Sequence, residues 1–276
     1  MAKQETGLKR NTIDKYYTKE SIVLQCIKNI KKYIKICKND IIIEPSAGNG
    51  AFIVGIKSLS NQYKFYDIHP ENTEITKQDF LELDYNQLKK DYKNIHLIGN
   101  PPFGRQSSLA IKFIKKCCEF AKSISFILPK SFKKESMMKY FSDHFHLIYE
   151  FDLPLNSFLV NGIEMDVPCV FQIWKYMDIP RNKIIKLEPF GFKFVKKSEN
   201  PDISFRRVGV NAGTITTDIK DKSIQSHYFI TFNNRDKMKE TIGQLKEITF
   251  TEDNTVGPKS ISKPELIKEF NKIITI

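Results

Sequence analysis

Residues 40–50 read Asp-Ile-Ile-Ile-Glu-Pro-Ser-Ala-Gly-Asn-Gly, and the rest of the N-terminal region repeats the pattern that they begin. A short β-branched run of this kind predicts a strand buried on both faces, as in a parallel sheet. Pro45 ends the strand, and Gly48 and Gly50 permit the positive φ angles of a tight turn. A helix is predicted directly after the turn, over 51–58. The first unit is therefore strand, glycine turn and helix.

Strands and helices alternate outward from this unit. Thr18 is predicted to cap a helix whose apolar residues recur every three or four positions. Further strands are predicted at 63–67, 95–99, 123–128, 147–151 and 167–174, and a helix with one apolar stripe over 108–121. Alternation on this scale predicts an α/β fold, a Rossmann-like, doubly wound, mostly parallel sheet covered by helices.

The pattern changes after Pro180. Short strands are predicted at 183–195, 202–208, 213–219 and 227–232, followed by two helices. The last helix is predicted to begin at the capping box Ser262-Lys-Pro-Glu265. We therefore expect two domains: a catalytic domain over 1–180 and a small, β-rich appendage over 181–276 that recognises the substrate.

The composition favours some classes of protein and argues against others. The 276 residues are 41% hydrophobic, which suits a folded core, and the net charge of +12 favours a polyanionic partner such as nucleic acid. No apolar run has the length of a membrane span, and the first residues lack the apolar core of a signal peptide. A soluble, intracellular protein without a membrane partner is expected. Five cysteines without C-x-x-C spacing predict neither a disulfide framework nor a metal site.

Three loops at the carboxyl ends of predicted strands describe a nucleoside pocket. Gly48 and Gly50 let backbone N–H groups approach a ligand. Asp67 follows Glu44 by roughly 20 residues, the offset at which an acid accepts ribose hydroxyls. Asp79 and Phe80 place an acceptor beside an aromatic ring, which suits an adenine. The order of these loops predicts an adenosine site.

The most specific motif is Asn100-Pro-Pro-Phe103-Gly104, directly after the predicted strand at 95–99. The prolines remove two backbone donors, so the Asn100 amide oxygen and the Pro101 carbonyl are offered as acceptors. An aromatic amine whose two hydrogens are accepted there is drawn toward tetrahedral geometry and becomes nucleophilic. The Phe103 ring would stack on the base and stabilise the developing cation by ~0.5–2 kcal/mol. We predict Asn100, Pro101, Pro102 and Phe103 as catalytic residues.

With these motifs, residues 14–175 resemble the S-adenosylmethionine-dependent N6-adenine methyltransferases, which have a class I methyltransferase fold. The resemblance implies S-adenosylmethionine as the cofactor and a flipped-out or single-stranded adenine as the target. His69 stands where the family often has a second acid. The implied cofactor contacts are Tyr17, Thr18, Glu44, Pro45, Ala47, Gly48, Gly50, Asp67, Ile68, Asp79, Phe80 and Asn100.

Basic side chains gather in two runs, 105–134 and 181–207, that we expect beside the catalytic face. The predicted nucleic-acid contacts are Arg105, Lys130, Lys133, Lys134, Lys196, Lys197, Arg206 and Arg207. The resulting hypothesis is methylation of adenine N6 in nucleic acid, with DNA slightly favoured over RNA by the motif order. Three alternatives stay open: an RNA or cap-adjacent adenosine methyltransferase, a protein-glutamine methyltransferase, and a non-catalytic nucleic-acid-binding subunit.

Overall fold

The computed structural model describes residues 16–182, 186–250 and 259–274. The chain divides into two compact units, Met1–Asn182 and Lys183–Ile276. The described elements of the first unit are β1 (Tyr17–Thr18), α1 (Glu20–Tyr33), β2 (Ile41–Glu44), α2 (Ile53–Lys57), β3 (Gln62–Asp67), β4 (Thr76–Lys77), α3 (Asn86–Asp91), β5 (Ile95–Gly99), α4 (Ser108–Cys118), β6 (Ser123–Pro129), β7 (Phe145–Asp152), β8 (Phe158–Val160), β9 (Ile163–Met165) and β10 (Cys169–Tyr176).

The first unit is built on a seven-stranded sheet in the order β4-β3-β2-β5-β6-β10-β7. The five strands from β4 to β6 run parallel, and β10 runs antiparallel to both of its neighbours. The predicted α/β fold with a doubly wound, mostly parallel sheet is confirmed. The chain winds outward from β2 to β4 and then returns to β5, so the strand order reverses between β2 and β5. Ligands bind at such a switch point, beyond the carboxyl ends of the strands.

Helices cover both faces of this sheet, which explains why its central strands are apolar throughout. Ile41 and Ile43 of β2 belong to one buried cluster with α4, whereas Ile42 belongs to the other with α1 and α2. The stripes predicted for α1 and α4 are buried as expected. The strand predicted at 95–99 has the predicted bounds, whereas the helices predicted over 51–58 and 108–121 are shorter.

The entry into α1 differs from the prediction. Lys19 is the N-cap residue, and it makes no side-chain capping bond. Thr18 is instead part of β1, which pairs antiparallel with β8 in a small sheet of order β1-β8-β9. The helix cap predicted at Thr18 is therefore wrong, because pairing with a strand far along the chain fixes this residue.

The described elements of the second unit are β11 (Phe192–Val195), β12 (Ile203–Arg206), β13 (Ile215–Thr216), β14 (His227–Phe232), α5 (Met238–Lys246) and α6 (Lys263–Ile273). Its four strands form an antiparallel sheet in the order β11-β14-β12-β13. Leu245 of α5 and Phe270 of α6 lie in one buried cluster with Phe205 of β12. The predicted β-rich C-terminal region is confirmed.

Two predictions about this second unit have different outcomes. The capping box at α6 is confirmed, since the Ser262 N–H donates to Glu265 Oε2 at 2.6 Å. The strand predicted over 183–195 covers only Phe192–Val195, and residues 183–185 of that prediction lie outside the described residues. Within the described parts of both units, no helix combines the length and the apolar character needed to cross a membrane.

Candidate active site

The glycine loop after β2 is tied to the end of β3. The Gly48 N–H donates to Asp67 Oδ2 at 2.8 Å, and the Ala47 N–H donates to the Tyr66 carbonyl at 2.8 Å. Gly48 and Gly50 have φ angles of 55° and 90°, which a residue with a side chain adopts only with strain. The structure thus brings the loop and Asp67 together as the sequence predicts, at the switch point of the sheet.

Asp67 retains capacity to bind a ligand. Its Oδ1 accepts the His69 N–H at 2.8 Å, so each carboxylate oxygen has one backbone donor and keeps a lone pair. The next residue, Ile68, is 53% exposed, which is unusual for a large apolar side chain. A hydrogen-bond acceptor and an exposed apolar surface therefore stand side by side.

Glu44, the last residue of β2, is the most unusual ionisable group of the site. Its side chain is buried, and its Oε2 has no hydrogen-bond partner in the described structure. Burial raises the pKa of Glu44 well above its usual range, and the nearby charge of Asp67 raises it further. A Cβ at Gly99 would lie 3.1 Å from Glu44 Cγ, so glycine lets this side chain reach β5. A buried carboxyl without a partner suits a cationic ligand group.

Asn100 follows β5, and its amide has a defined orientation. Its Nδ2 lies 3.4 Å from both the Tyr16 carbonyl oxygen and the Thr18 hydroxyl oxygen. Its Oδ1 is buried and has no partner in the described residues. Ser46 donates to the Asn100 carbonyl at 3.2 Å, which ties this turn to the glycine loop. The Nδ2 end of the amide is therefore directed to Tyr16, just before β1, and to Thr18 within it, and the oxygen is left as an acceptor.

The remaining residues of the motif differ in exposure. Pro101 is buried, Pro102 is exposed, and Phe103 is half-buried against both apolar clusters. The Phe103 carbonyl accepts the N–H groups of Leu109 and Ala110 at the start of α4. Both the ring and the backbone of Phe103 are therefore held in place.

Tyr17 crosses the glycine loop. Its hydroxyl donates to the Glu71 carboxylate, whose oxygens lie 2.6 and 2.8 Å away. Burial raises the pKa of Tyr17 to about 12, with a further contribution from Glu71. A Cβ at Gly48 would lie 3.7 Å from the Tyr17 ring, so this ring covers the loop.

The third predicted loop needs a correction. Asp79 is exposed, and its Oδ1 accepts the Leu81 N–H at 2.8 Å. The Phe80 ring is only 1% exposed and stacks on Phe113 in the core, with centroids 5.4 Å apart. The prediction that the Phe80 ring covers an adenine is therefore wrong, because the ring is buried in the core.

Many of the cations predicted to contact nucleic acid have partners within the protein. Lys133 and Lys130 lie 2.8 and 3.8 Å from the carboxylate oxygens of Asp152. Arg105 and Lys196 are exposed, whereas Lys134 is half-buried. In the second unit, Lys197, Arg206 and Arg207 donate to backbone carbonyls.

His96 is not a candidate base for this site. Its ring is buried at the start of β5, with Nδ1 2.7 Å from Ser123 Oγ and Nε2 3.4 Å from Asp40 Oδ2. Burial is the main reason that its pKa is lowered. Among the described residues, no group of three acidic, histidine or cysteine side chains is placed to hold a metal ion.

Sequence reasoning missed three contributors: Ser46, Glu71 and the Tyr16 carbonyl. Ser46 lies within the glycine loop, where its polarity is a weak signal. Glu71 lies four residues after Asp67 and resembles any exposed loop acid. A backbone carbonyl has no sequence signal at all.

Residues 38–166 match the profile of the EDM2 methyltransferase-like domain. No curated protein sequence matches the chain significantly. A candidate RNA methyltransferase from Pyrococcus horikoshii is 13% identical and has a TM-score of 0.45, covering 62% of this chain and 92% of its own. The 23S rRNA methyltransferase ErmE is 12% identical and has a TM-score of 0.44, covering 62% and 73%. Residues 38–166, a little under half of the chain, are thus similar to the EDM2 methyltransferase-like domain.

Proposed function

We propose that this chain transfers a methyl group from S-adenosylmethionine to the exocyclic N6 amino group of adenine in nucleic acid. The observation that carries the proposal is the Asn100 amide, whose Oδ1 is buried and unpaired while its Nδ2 is directed to β1. An unpaired buried acceptor is costly, so it suits a ligand that brings a donor. An amino group is such a donor.

The residues around the glycine loop fit the proposed cofactor. Asp67 offers two acceptor oxygens for ribose hydroxyls, and Ile68 offers an apolar surface for the adenine. Glu44 offers a buried, unpaired carboxyl oxygen for the ammonium group. S-adenosylmethionine supplies, when bound, a methyl group made electrophilic by its sulfonium sulfur.

The residues of the motif would prepare the target amine. Asn100 Oδ1 and the Pro101 carbonyl accept its two hydrogens, which directs the nitrogen lone pair away from the ring. The half-buried Phe103 stacks on the base and stabilises positive charge on the nitrogen by ~0.5–2 kcal/mol. Asn100 does not titrate, so its contribution is orientation and electrostatic stabilisation. The N–C bond forms as the S–CH₃ bond breaks, the neutral thioether leaves with the rest of the cofactor, and the cationic nitrogen then loses one proton to water.

A base within a duplex does not reach a buried acceptor, so the target adenine must be extruded or single-stranded. Arg105 is exposed directly after the motif, which suits a phosphate beside the extruded nucleotide. DNA is the favoured polymer because the motif order resembles that of N6-adenine DNA methyltransferases.

Product identification tests the proposal. The purified full chain is incubated with isotope-labelled S-adenosylmethionine and, separately, with duplex DNA, single-stranded DNA, RNA, capped RNA and a glutamine-containing peptide. Mass spectrometry of the digested products is expected to find label in N6-methyldeoxyadenosine. Label in N6-methyladenosine would show that the methylated polymer is RNA rather than DNA.

The Asn100→Ala variant is the control for this experiment. It is expected to lose turnover by roughly 10²–10³-fold, the cost of removing one stabilising group from an active site. Label on carbon, oxygen, a ring nitrogen or the peptide would contradict the proposal.

A further inference from the structure

β1 holds the Asn100 amide, although it is only two residues long. Tyr16 and Thr18 supply the two acceptors for Asn100 Nδ2. On its other side, β1 pairs with β8, itself a three-residue strand, and the Lys19 N–H donates to the Ser157 carbonyl at 3.1 Å. Pairing between such short strands is weak by itself. A contact to the glycine loop therefore helps to keep β1 in place, in addition to the Lys19–Glu164 ion pair and the edge-on packing of Tyr16 on Phe158.

Glu71 supplies that contact. Its carboxylate accepts the Tyr17 hydroxyl, and its own N–H donates to the Gly48 carbonyl at 3.0 Å. Gly48 is in turn bonded to Asp67 at the end of β3. Glu71 thus joins β1 to the loop that is anchored on the main sheet. A hydrogen bond to a charged acceptor is among the stronger ones.

We propose that Glu71 is a positioning residue for the Asn100 amide, acting through Tyr17 and β1. The inference rests on the proposed function of Asn100, and it adds a residue that none of the predicted motifs contains. When Glu71 holds Tyr17, the acceptors for Asn100 Nδ2 stay in place and Oδ1 faces the target amine. Without that bond, β1 moves and the amide loses its orientation.

The contact between Tyr17 and Glu71 also connects the glycine loop with the segment that holds the Asn100 amide. The Tyr17 ring lies over Gly48, so the residue that fixes β1 also covers the predicted cofactor loop. A change at Glu71 is therefore expected to alter the orientation of Asn100 Oδ1, although the Glu71 side chain contacts Tyr17 and not Asn100.

The test uses full-length variants of this contact. Glu71→Ala removes the acceptor, and Tyr17→Phe removes the donor but keeps the ring over Gly48. Glu71→Gln retains an acceptor oxygen. Glu74→Ala is the matched control, because Glu74 lies in the same loop and pairs with Lys57 on the surface, away from β1.

The first measurement needs no substrate. In protein with ¹⁵N-labelled asparagine side chains, the Asn100 amide signal is identified by its loss in Asn100→Ala. Hydrogen exchange of this amide is expected to accelerate roughly tenfold in Glu71→Ala and Tyr17→Phe. Glu71→Gln and Glu74→Ala are expected to exchange as the wild type does. Unchanged exchange in both Glu71→Ala and Tyr17→Phe would overturn the proposal.

The second measurement is kcat at saturating cofactor. It is expected to fall roughly tenfold in Glu71→Ala and in Tyr17→Phe, and no further in the double variant, because both changes break one contact. Full kcat in both single variants would overturn the positioning role. Accelerated amide exchange in a protein that methylates none of the tested substrates would instead support the positioning role and overturn the proposed function alone.

Discussion

The Asn100 Nδ2 atom lies 3.4 Å from the Thr18 hydroxyl oxygen, although the two residues are far apart in sequence. This contact, together with that to the Tyr16 carbonyl, distinguishes the two ends of the amide: the nitrogen is held and the oxygen is unpaired. The acceptor on which the proposed chemistry depends is therefore oriented by the N-terminal strand.

Replacing Thr18 by valine is expected to lower kcat roughly tenfold. Valine keeps the shape of this buried side chain but removes the hydroxyl acceptor, so one N–H of Asn100 loses its partner. Thr18→Ser is expected to retain activity because it keeps the oxygen. Initial rates at saturating substrates, with melting temperatures as a check on folding, measure the effect. Equal rates for the valine and serine variants would argue against this orientation.

Replacing Glu44 by glutamine is expected to change how stability depends on pH. The folded-state pKa of Glu44 is raised, so its contribution to stability is present below the unfolded value of 4.5 and is lost as pH rises through the folded pKa. As pH rises from 4.5 towards the raised folded-state pKa, wild type should lose up to ~1.4 kcal/mol per pH unit relative to Glu44→Gln. Urea unfolding monitored by fluorescence of the single tryptophan, Trp174 in β10, gives the comparison. If the free energy of unfolding changed with pH equally in the two proteins, Glu44 would not be the group that titrates.

Cofactor binding is expected to release a proton at pH values between 4.5 and the raised pKa of Glu44 in the free protein. An ammonium group beside Glu44 stabilises the ionised carboxylate, whereas burial favours the protonated form in the free protein. Affinity should therefore weaken as pH falls, while kcat at saturation stays nearly constant. Calorimetric titration in two buffers of different ionisation enthalpy measures the proton release. Buffer-independent heats would show that no proton is released, and release retained in Glu44→Gln would show that another group is responsible.

His96 is expected to destabilise the N-terminal unit at low pH. Burial lowers its folded-state pKa below 6.5, so the unfolded chain binds a proton more readily and stability falls as pH drops from about 7. His96→Gln should flatten this part of the unfolding profile. Trp174 fluorescence at pH 5.5 and 7.5 reports on the same unit. An unchanged slope in the variant would mean that His96 does not titrate in this range.

Replacing Arg105 by glutamine is expected to weaken binding of single-stranded DNA. One lost phosphate contact should reduce the slope of log affinity against log salt by about 1. Lys28→Gln on α1 is the matched control, since it removes one exposed positive charge from the unit that carries the site. Fluorescence anisotropy over a salt series measures both variants. Identical slopes for Arg105→Gln and Lys28→Gln would show that Arg105 does not contact the DNA phosphates.

The alternation of strands and helices in the first unit and the two main loops of the site follow from local patterns. β5 has the predicted bounds because an apolar run meets Asn-Pro-Pro, and the α4 stripe is buried because its period matches a helix. Gly48 and Asp67 meet because parallel strands align their carboxyl ends at one edge. Here each residue's role is set by its neighbours in sequence and by the sheet.

The rest depends on contacts between distant segments. Thr18 is a good cap by type, yet pairing with Phe158 determines its position. Phe80 is equally suited to a ligand or to the core, and only packing on Phe113 decides between them. Glu71 acquires its role from a tyrosine 54 positions earlier. The spacing of apolar residues along the sequence does not indicate such contacts between distant segments.

The small sheet β1-β8-β9 also sets an order of events during synthesis. The nascent chain contains Asn100 and all five parallel strands of the main sheet well before Phe158–Met165 leaves the ribosome. Until then β1 has no strand to pair with. The segment that orients the Asn100 amide is therefore completed late in translation, after the glycine loop and Asp67 have been made.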